Sequence, residues 1–183
     1  MASFIMSLSA EELEHYVIRP TLSALDVESE GAVKLLLGTA ALESHFSLSH
    51  SHHSMPDGLG LFQITPQAHR EVWDNYLAFR PNLASKVRGL ASQHHFLTSP
   101  DIELRTNLSY STAIAWMIYQ YHNETNNLPI DEDVSSMGEL WAQLFEHGPL
   151  QDKTTFINCY RRLVGETRRP IKQPIKASSE RRK

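Results

Sequence analysis

The sequence predicts an all-α protein whose body forms a single domain. Apolar residues recur at helical spacings, and no segment alternates apolar and polar residues convincingly over the length of a strand. Residues that cap helices, such as Ser and Thr, precede several of the apolar segments. With 183 residues, 41% of them hydrophobic, the chain can bury one substantial core. We therefore expect one helical domain over residues 1–165.

The first two helices have clear start signals. Ser9 and Glu12 form a capping box that opens "SAEELEHYVI", and Pro20 is expected to end or kink this helix. Ser29 is the expected cap of "EGAVKLLLGTAALESHF". Because this second segment is apolar on all sides, we expect a buried helix.

Three X-Pro pairs organise the middle of the chain. Thr65-Pro66 combines a capping residue with a proline at the first helical position, and it opens "QAHREVWDNYLAF". Arg80-Pro81 is expected to break that helix, and Ser99-Pro100 repeats the start signal. The segment "NLSYSTAIAWMIYQYH" follows and predicts a second strongly apolar helix.

Two further helices are predicted towards the C-terminus. Ser136 and Glu139 match a capping box before "LWAQLFEH", and Gly148-Pro149 is expected to stop this helix. The segment "TTFINCYRRLV" predicts a last short helix.

Charge is unevenly distributed along the chain. Residues 166–183 carry seven Lys and Arg against two Glu, a net charge of +5, so the net charge of −4 leaves −9 for residues 1–165. The basic, Pro-interrupted segment is predicted to be a disordered tail. An acidic body argues against a nucleic-acid-binding domain. The simplest role for the tail is to keep the protein soluble; binding to anionic cell-wall polymers, nucleic acid or a virion partner is the alternative.

Targeting signals and disulfides are not expected. The N-terminus lacks the basic start and long apolar core of a secretory signal, and no apolar run approaches the roughly 20 residues of a membrane span. The single cysteine, Cys159, cannot form an intrachain disulfide and is expected to be an inert core thiol. We expect a protein made in a cytoplasm without a signal peptide.

Glu43 is the first candidate for chemistry. Leu36, Ala40 and Glu43 share one helical face, so the carboxyl group follows an apolar run. Partial desolvation would raise the pKa of such a group, and a carboxyl that is still protonated near neutral pH suits the cleavage of a glycosidic bond. The alternative is that the helix simply ends here and Glu43 reaches solvent.

A glycine turn follows about 20 residues later, in "GLGLFQITP". Gly58 and Gly60 permit a tight turn and a close approach of the backbone to a neighbour or ligand. Gln63 adds an amide that both donates and accepts hydrogen bonds. The combination of helix-end Glu-Ser and this turn is far more specific than either part.

These two segments, "ALESHF" and "GLGLFQITPQA", resemble the first two motifs of the soluble lytic transglycosylases and goose-type lysozymes, members of the lysozyme-like superfamily. The resemblance extends over about residues 29–165. It implies a lysozyme-like helical domain in which Glu43 is the sole catalytic acid and base. The matched positions that would line the sugar cleft are Ser44, Gly58, Gly60, Leu61, Phe62, Gln63 and Pro66. Phe62 stands where the family usually has methionine.

The third family motif, Tyr-Asn-x-Gly-Pro, has its best counterpart in "FEHGP", residues 145–149. Phe145 replaces the family tyrosine, whose hydroxyl supports the catalytic carboxyl or the substrate. Tyr119 or Tyr121 could supply a hydroxyl instead. This departure favours an alternative, in which the chain is a catalytically weak or inactive lysozyme-like protein with a structural or glycan-binding role in a virion.

The resemblance implies cleavage of the β-1,4 bond between N-acetylmuramic acid and N-acetylglucosamine in peptidoglycan. Glu43 would protonate the leaving oxygen and later accept a proton from the sugar's 6-hydroxyl, which closes a 1,6-anhydro ring. A two-carboxylate hydrolase needs a second acidic group, and the nearby candidate, Asp57, is better explained by turn formation. We therefore favour a transglycosylase over a lysozyme.

The chain also resembles small proteins of tailed bacteriophages, in which similar segments recur. This likeness implies a phage-encoded protein that is either delivered with the virion or released as a lysis enzyme. Its expected partners are a peptidoglycan glycan strand and other virion proteins, and it would act in the periplasm or cell wall. Neither a membrane span nor nucleic-acid binding is expected.

Histidines and aromatic residues offer weaker signals. The group His45, His50, His52 and His53 invites a zinc site, but no Cys, Asp or Glu lies among them, so we expect a solvated loop, no metal and no cofactor. His45 could still line the cleft, and the pair His94-His95 is also expected to be solvated.

Most of the following aromatic residues are expected in the core, although one or two could stack on sugars: Trp73, Trp116, Trp141, Tyr76 and Phe79.

Overall fold

The structure, a computed structural model, describes residues 8–46, 57–123, 133–145 and 152–165. Over these ranges the protein is all-α, as predicted, and its extended backbone pairs in a single bridge between Leu59 and Ile64. The helices in chain order are α1 Ala10–Leu13, α2 Arg19–Ala24, α3 Glu30–Ser44, α4 Pro66–Asn75, α5 Pro81–Leu90, α6 Gln93–Thr98, α7 Pro100–Thr106, α8 Leu108–His122, α9 Val134–Leu144 and α10 Lys153–Tyr160.

Two buried helices, α3 and α8, form the centre of the fold. Both are apolar around their whole circumference, which is the pattern of a helix surrounded by neighbours. Helix α3 packs against α8, α9 and α10, and α8 also packs against α4, α5 and α7. The prediction of two buried helices is confirmed, and the end of α3 that carries Glu43 therefore lies inside the protein.

Local capping signals fix most helix starts. Ser9 and Glu12 form the predicted capping box, with the Glu12 backbone N–H donating to Ser9 Oγ at 3.1 Å. Ser29, Thr65 and Asn107 each accept a hydrogen bond from the backbone N–H three residues further on. Because each contact spans only three residues, the sequence alone is sufficient to locate these starts.

Pro20 does not end the first helical region. The chain stays helical to the end of α2, and a π-helical turn, Glu14–Ile18, lies between α1 and α2. A proline ring clashes with the carbonyl four residues earlier in a regular α-helix. The wider π-helical turn just before Pro20 relieves that clash, so the helical path continues.

The two other proline signals begin helices. Arg80-Pro81 was expected only to break a helix, but Pro81 is the first residue of α5, which the sequence analysis missed. Proline suits this position because the first N–H of a helix has no intrahelical partner. Pro100 begins α7 as predicted, although Ser99 makes no side-chain capping bond.

The predicted capping box at Ser136 and Glu139 is wrong. Asp133 is the actual cap of α9, since its Oδ2 accepts the Ser136 backbone N–H at 3.1 Å. Ser136 is therefore already the third helical residue. The helix ends at Leu144, and the predicted stop at residues 148–149 lies outside the described residues. The last predicted helix is confirmed as α10, and a π-helical turn, Arg161–Gly165, continues it.

The expectation for the aromatic residues is confirmed with one exception. Trp116, Trp141 and Tyr76 are buried in the core, and Trp73 is half-buried against it. Phe79 is 75% exposed. It lies in the short 3-10 turn Leu77–Phe79, where the helical spacing that suggested a core position no longer holds.

Two other expectations concern a membrane-spanning helix and the segments rich in basic residues or histidine. No helix in the described ranges combines the length and the apolar character needed to cross a bilayer. The basic tail at 166–183 and the three histidines at 50, 52 and 53 lie outside the described residues.

Candidate active site around Glu43

Glu43 is the penultimate residue of α3, and it is buried. The residue is 3% exposed, so the alternative that it reaches solvent is wrong. The helix ends just beyond it because His45 adopts a left-handed conformation, with φ 51, while its N–H still donates to Ala41 O at 3.1 Å. The predicted position of Glu43 at the end of a buried helix is confirmed. His45 itself is exposed.

Trp141 from α9 contacts the Glu43 carboxyl group directly. Its indole Nε1–H donates to Glu43 Oε1 at 3.2 Å, and the Trp141 side chain is fully buried. Helical spacing placed Trp141 among aromatic residues that were mostly expected in the core, although one or two could stack on sugars. A buried indole N–H requires a hydrogen-bond partner, but periodicity does not say which one.

Tyr119 lies in the same region and belongs to α8. Its hydroxyl lies 2.7 Å from Thr39 Oγ1, which itself donates to Leu35 O at 2.8 Å. Since the single Thr39 hydroxyl proton is used in that bond, the Tyr119 hydroxyl is the donor to Thr39. Burial raises the pKa of Tyr119 well above its ordinary value, and the negative charge of Glu43 adds to this rise. Tyr119 is therefore a neutral phenol within the electrostatic reach of Glu43.

Phe145 and Cys159 lie next to these residues. We call the whole group the Glu43 cluster: Glu43, Trp141, Tyr119, Phe145 and Cys159. The Phe145 ring lies 5.3 Å from the Tyr119 ring, centroid to centroid, and it is buried. Cys159 donates from Sγ to Ala41 O at 3.2 Å, and burial raises the pKa of its thiol. The prediction that Cys159 is a core thiol is confirmed.

The glycine turn is a separate, self-contained structure. Leu59 and Ile64 exchange two backbone hydrogen bonds of 3.0 and 3.1 Å, which close the loop at its base. Gln63 Nε2 donates to Gly60 O at 2.7 Å. A Cβ atom on Gly58 would lie 2.8 Å from Gln63 O. The turn therefore uses the Gln63 amide to hold its own backbone.

Gly60 adopts the backbone conformation of a tight turn and lies close to a neighbouring segment. Its φ is +67, in the left-handed region that favours glycine, and a Cβ there would lie 1.8 Å from the Leu104 carbonyl oxygen. The neighbour that excludes a side chain is thus the backbone of α7. Leu61 and Phe62 are fully buried, so they anchor the turn in the core.

A buried polar network, which the sequence analysis missed, holds α7 in place behind the turn. His69 Nε2 lies 2.7 Å from the Tyr110 hydroxyl, and His69 Nδ1 lies 2.8 Å from Asp101 Oδ1. Trp73 Nε1–H donates to the same hydroxyl oxygen at 2.9 Å. Because the Asp101 carboxylate only accepts, Nδ1 of His69 carries the N–H, and Nε2 of a neutral imidazole then accepts from the Tyr110 hydroxyl.

The protonation state of His69 follows from two opposed effects. Burial lowers its pKa below the ordinary value of 6.5, while the hydrogen bond and charge of Asp101 act in the opposite direction. Burial is the larger effect, so the neutral imidazole is favoured. The network joins α4, α7 and α8, and it supports the Leu104 carbonyl on which Gly60 packs.

The remaining predicted site residues make contacts of their own. The Ser44 hydroxyl donates to Ala40 O at 3.0 Å, one turn back along α3, and the residue is buried. Tyr121 is half-buried, with its ring centroid 6.1 Å from that of Tyr76. Asp57 is exposed next to the turn. Their roles towards a substrate stay predictions.

The structure thus gathers the predicted site residues into distinct groups. Glu43, Tyr119 and Phe145 meet in the Glu43 cluster, while Gly58, Gly60, Phe62 and Gln63 form the turn. The resemblance implies that Glu43 and Gln63 face the same sugar cleft, and this stays a prediction. Of the third motif only Phe145 lies among the described residues; residues 146–149 do not. Within the described part of the chain, no three His, Cys, Asp or Glu side chains are placed to hold a metal ion.

Two opposed effects act on the carboxyl group of Glu43. Burial disfavours the charged form of a carboxyl group, whereas the indole N–H favours it.

Comparisons with protein-family models, with curated proteins and with solved structures yield no match for this chain. The family resemblance therefore depends on the motifs alone.

Proposed function

We propose that this protein is a peptidoglycan-cleaving muramidase of the lytic transglycosylase type, with Glu43 as its single general acid and base. The observation that carries the proposal is the burial of Glu43, 3% exposed at the end of an apolar helix, with Trp141 as a hydrogen-bond donor. A carboxyl group taken out of water can retain its proton near neutral pH, as a general acid for glycosidic cleavage must. The substrate class, peptidoglycan, comes from the resemblance of Glu43-Ser44 and residues 58–63 to the motifs of the lytic transglycosylases.

The proposed reaction needs one carboxyl group and no water. Glu43 gives its proton to the glycosidic oxygen between N-acetylmuramic acid and N-acetylglucosamine, and the bond from C1 to that oxygen breaks. The acetamido group of the substrate stabilises the cationic C1. The Glu43 carboxylate then takes the proton of the 6-hydroxyl while O6 bonds to C1. The acid is regenerated, and the product carries a 1,6-anhydro ring.

The proposal also assigns partners and a place of action. The substrate is a glycan strand of peptidoglycan, with the backbone of the turn from Gly58 to Gln63 along the cleft. A phage-encoded chain would reach this substrate in the periplasm or cell wall, either as a virion component or as a lysis enzyme.

Product analysis of digested sacculi tests the chemistry. We expect 1,6-anhydro muropeptides by mass spectrometry, whereas reducing ends would indicate a hydrolase. Glu43→Gln keeps the shape and removes the transferable proton, so the rate should fall by at least about a hundredfold, within the range that general acid–base catalysis contributes. The melting temperature should stay level or rise, because a neutral amide is easier to bury than a carboxylate.

Glu103 provides a matched control. It is a second buried carboxyl group, and its Oε2 accepts the Ser92 backbone N–H and Asn107 Nδ2–H, neither of which belongs to the Glu43 cluster. Glu103→Gln should keep the activity per folded molecule. Wild-type activity in Glu43→Gln would remove Glu43 as the catalyst and turn attention to Asp57 or Glu146.

A second function, a catalytically silent glycan-binding or structural domain of a virion, is favoured by one observation. Phe145 has no hydroxyl, and it is packed against Tyr119 in place of the family tyrosine. This alternative predicts that the protein co-sediments with sacculi but releases no muropeptides. Phe145→Tyr would then be the change expected to restore activity.

A further inference from the structure

The contact between Trp141 and Glu43 restricts where the acid proton can reside. An indole nitrogen is a donor only, so the 3.2 Å contact requires Glu43 Oε1 to present a lone pair. In a protonated carboxyl group the carbonyl oxygen is the better acceptor, and the other oxygen carries the proton. The indole therefore directs the proton to Oε2.

The position of this indole is fixed by a close contact between α3 and α10. A Cβ on Gly38 would lie 2.2 Å from Phe156 Cζ, so the absence of a side chain lets the Phe156 ring rest directly on α3. The Phe156 and Trp141 rings lie 5.9 Å apart, centroid to centroid, at an interplanar angle of 32°. Phe156 therefore supports the face of the indole whose N–H contacts Glu43.

We propose that Trp141 is a positioning residue, which holds Oε1 of Glu43 as an acceptor so that Oε2 is the oxygen that delivers and recovers the proton. This inference rests on the proposed function of Glu43. It assigns to an indole N–H the support that the family resemblance assigned to a tyrosine hydroxyl, for which Phe145 offers no substitute.

A measurable consequence is a change in the pH dependence. An N–H donor favours the ionised form of a carboxyl group, so loss of the indole should make the group hold its proton to higher pH. A general acid is active while protonated, and activity falls as the pH rises through its titration. Trp141→Phe should therefore move the alkaline limb of the rate profile upward by roughly half to one pH unit, from the stronger bond that a charged acceptor makes.

Ionisable side chains on the neighbouring helices also bear on this shift. Among the described residues, Tyr119 from α8 and Cys159 from α10 also face it, and the pKa of each is raised, so both stay neutral at the acidic to neutral pH of the assay. Arg162, in the π-helical turn after α10, contacts the Cys159 thiol.

The direct test follows the indole N–H signals of the ¹⁵N-labelled protein by NMR as the pH is varied. The chain has three tryptophans, so three indole signals are expected. In the wild type, one of them should titrate together with the alkaline limb of the rate profile. In Glu43→Gln this titration should vanish while the signal remains. An indole signal that is unaffected by Glu43→Gln would overturn the inference.

The kinetic test compares Trp141→Phe with a matched control, Trp73→Phe. The control also removes an indole donor, from the half-buried Trp73, but one that bonds Tyr110. The alkaline limb should shift in the first variant and stay in place in the second. A Trp141→Phe enzyme that is slower with an unshifted limb would show that Trp141 is merely structural, and the inference would be wrong.

The two proposals can fail separately. If wild-type protein releases no muropeptides but its indole signal titrates with Glu43, the positioning contact stands and the proposed enzyme activity falls. If sacculi are cleaved and the indole signal ignores Glu43, the activity stands and the positioning role falls. The NMR comparison uses proteins in which Trp141 is unchanged. It therefore tests the positioning role of Trp141 even if the Trp141→Phe variant does not fold.

Discussion

Gly60→Ala is expected to destabilise the protein strongly, because this glycine combines a left-handed backbone with a backbone neighbour. The φ of +67 costs about 1–2 kcal/mol for a residue with a side chain. The added Cβ would also lie 1.8 Å from Leu104 O, whereas carbon–oxygen contacts are normally about 3.3 Å or longer. The turn and α7 would have to separate by roughly 1.5 Å, the difference between these two distances.

The cost of that displacement can be set from the usual penalty of overpacking. Inserting a methyl group into a packed region costs about 1–3 kcal/mol. Leu104 O belongs to the backbone of a helix that the His69 network holds, so it cannot rotate away as a flexible side chain would. Together with the backbone term, we expect a loss of about 2–5 kcal/mol in the free energy of unfolding.

Urea and thermal denaturation measure this loss. For a chain of this length each kcal/mol lowers the melting temperature by about 2–4 °C, so Gly60→Ala should lower it by roughly 4–20 °C. Gly89→Ala is the control, because Gly89 lies in α5 and a Cβ there meets no atom within 4 Å. That variant should be more stable by about 0.5–1 kcal/mol. If Gly60→Ala unfolds within about 0.5 kcal/mol of wild type, the range of an ordinary surface substitution, then the packing of the turn against α7 has been misread.

Three further predictions follow from the fold. Gly38→Ala should displace the Phe156 ring, because the added Cβ would lie 2.2 Å from Phe156 Cζ. The free energy of unfolding should fall by about 1–3 kcal/mol, and the near-UV circular dichroism of the aromatic residues should change. An unchanged near-UV spectrum would contradict the contact. Burial lowers the pKa of His69 in the folded protein. The stability contributed by neutral His69 is therefore complete above about pH 6.5 and is lost as the pH falls through the lower pKa of the folded state. His69→Gln should flatten this part of the plot of unfolding free energy against pH, and an equal slope in both proteins would refute the argument. Asp133→Ala should cost about 1 kcal/mol in thermal denaturation, whereas Ser136→Ala should change little; the reverse order would restore Ser136 as the cap.

The sequence by itself determined the fold class and most helix starts. Ser29 and Thr65 could be identified as caps because each bonds a backbone N–H only three residues away. The burial of α3 was equally local information, since an apolar surface on all sides has to be covered. The tight turn at Gly60 was predicted from the same source, because glycine tolerates the positive φ that Gly60 adopts.

Local rules also produced the two errors at helix starts. The Ser136 signal was a valid pattern, but Asp133 offered a competing cap three residues earlier, and a carboxylate satisfies the first N–H groups as well as a hydroxyl does. At Pro81 the same residue type that ends one helix begins the next. Pattern alone does not choose between such alternatives.

Only the tertiary structure decided which groups meet. Trp141 and Glu43 are separated by 98 positions, and nothing in the periodicity of α9 says that its indole N–H points to the end of α3. The neighbour of Gly60 is likewise a carbonyl of α7, 44 residues further along the chain, although the sequence alone pointed to a cleft. Helical spacing fixes the face that a residue occupies on its own helix. The partner on another helix depends on how the helices cross, and that is set by the packing of the whole core.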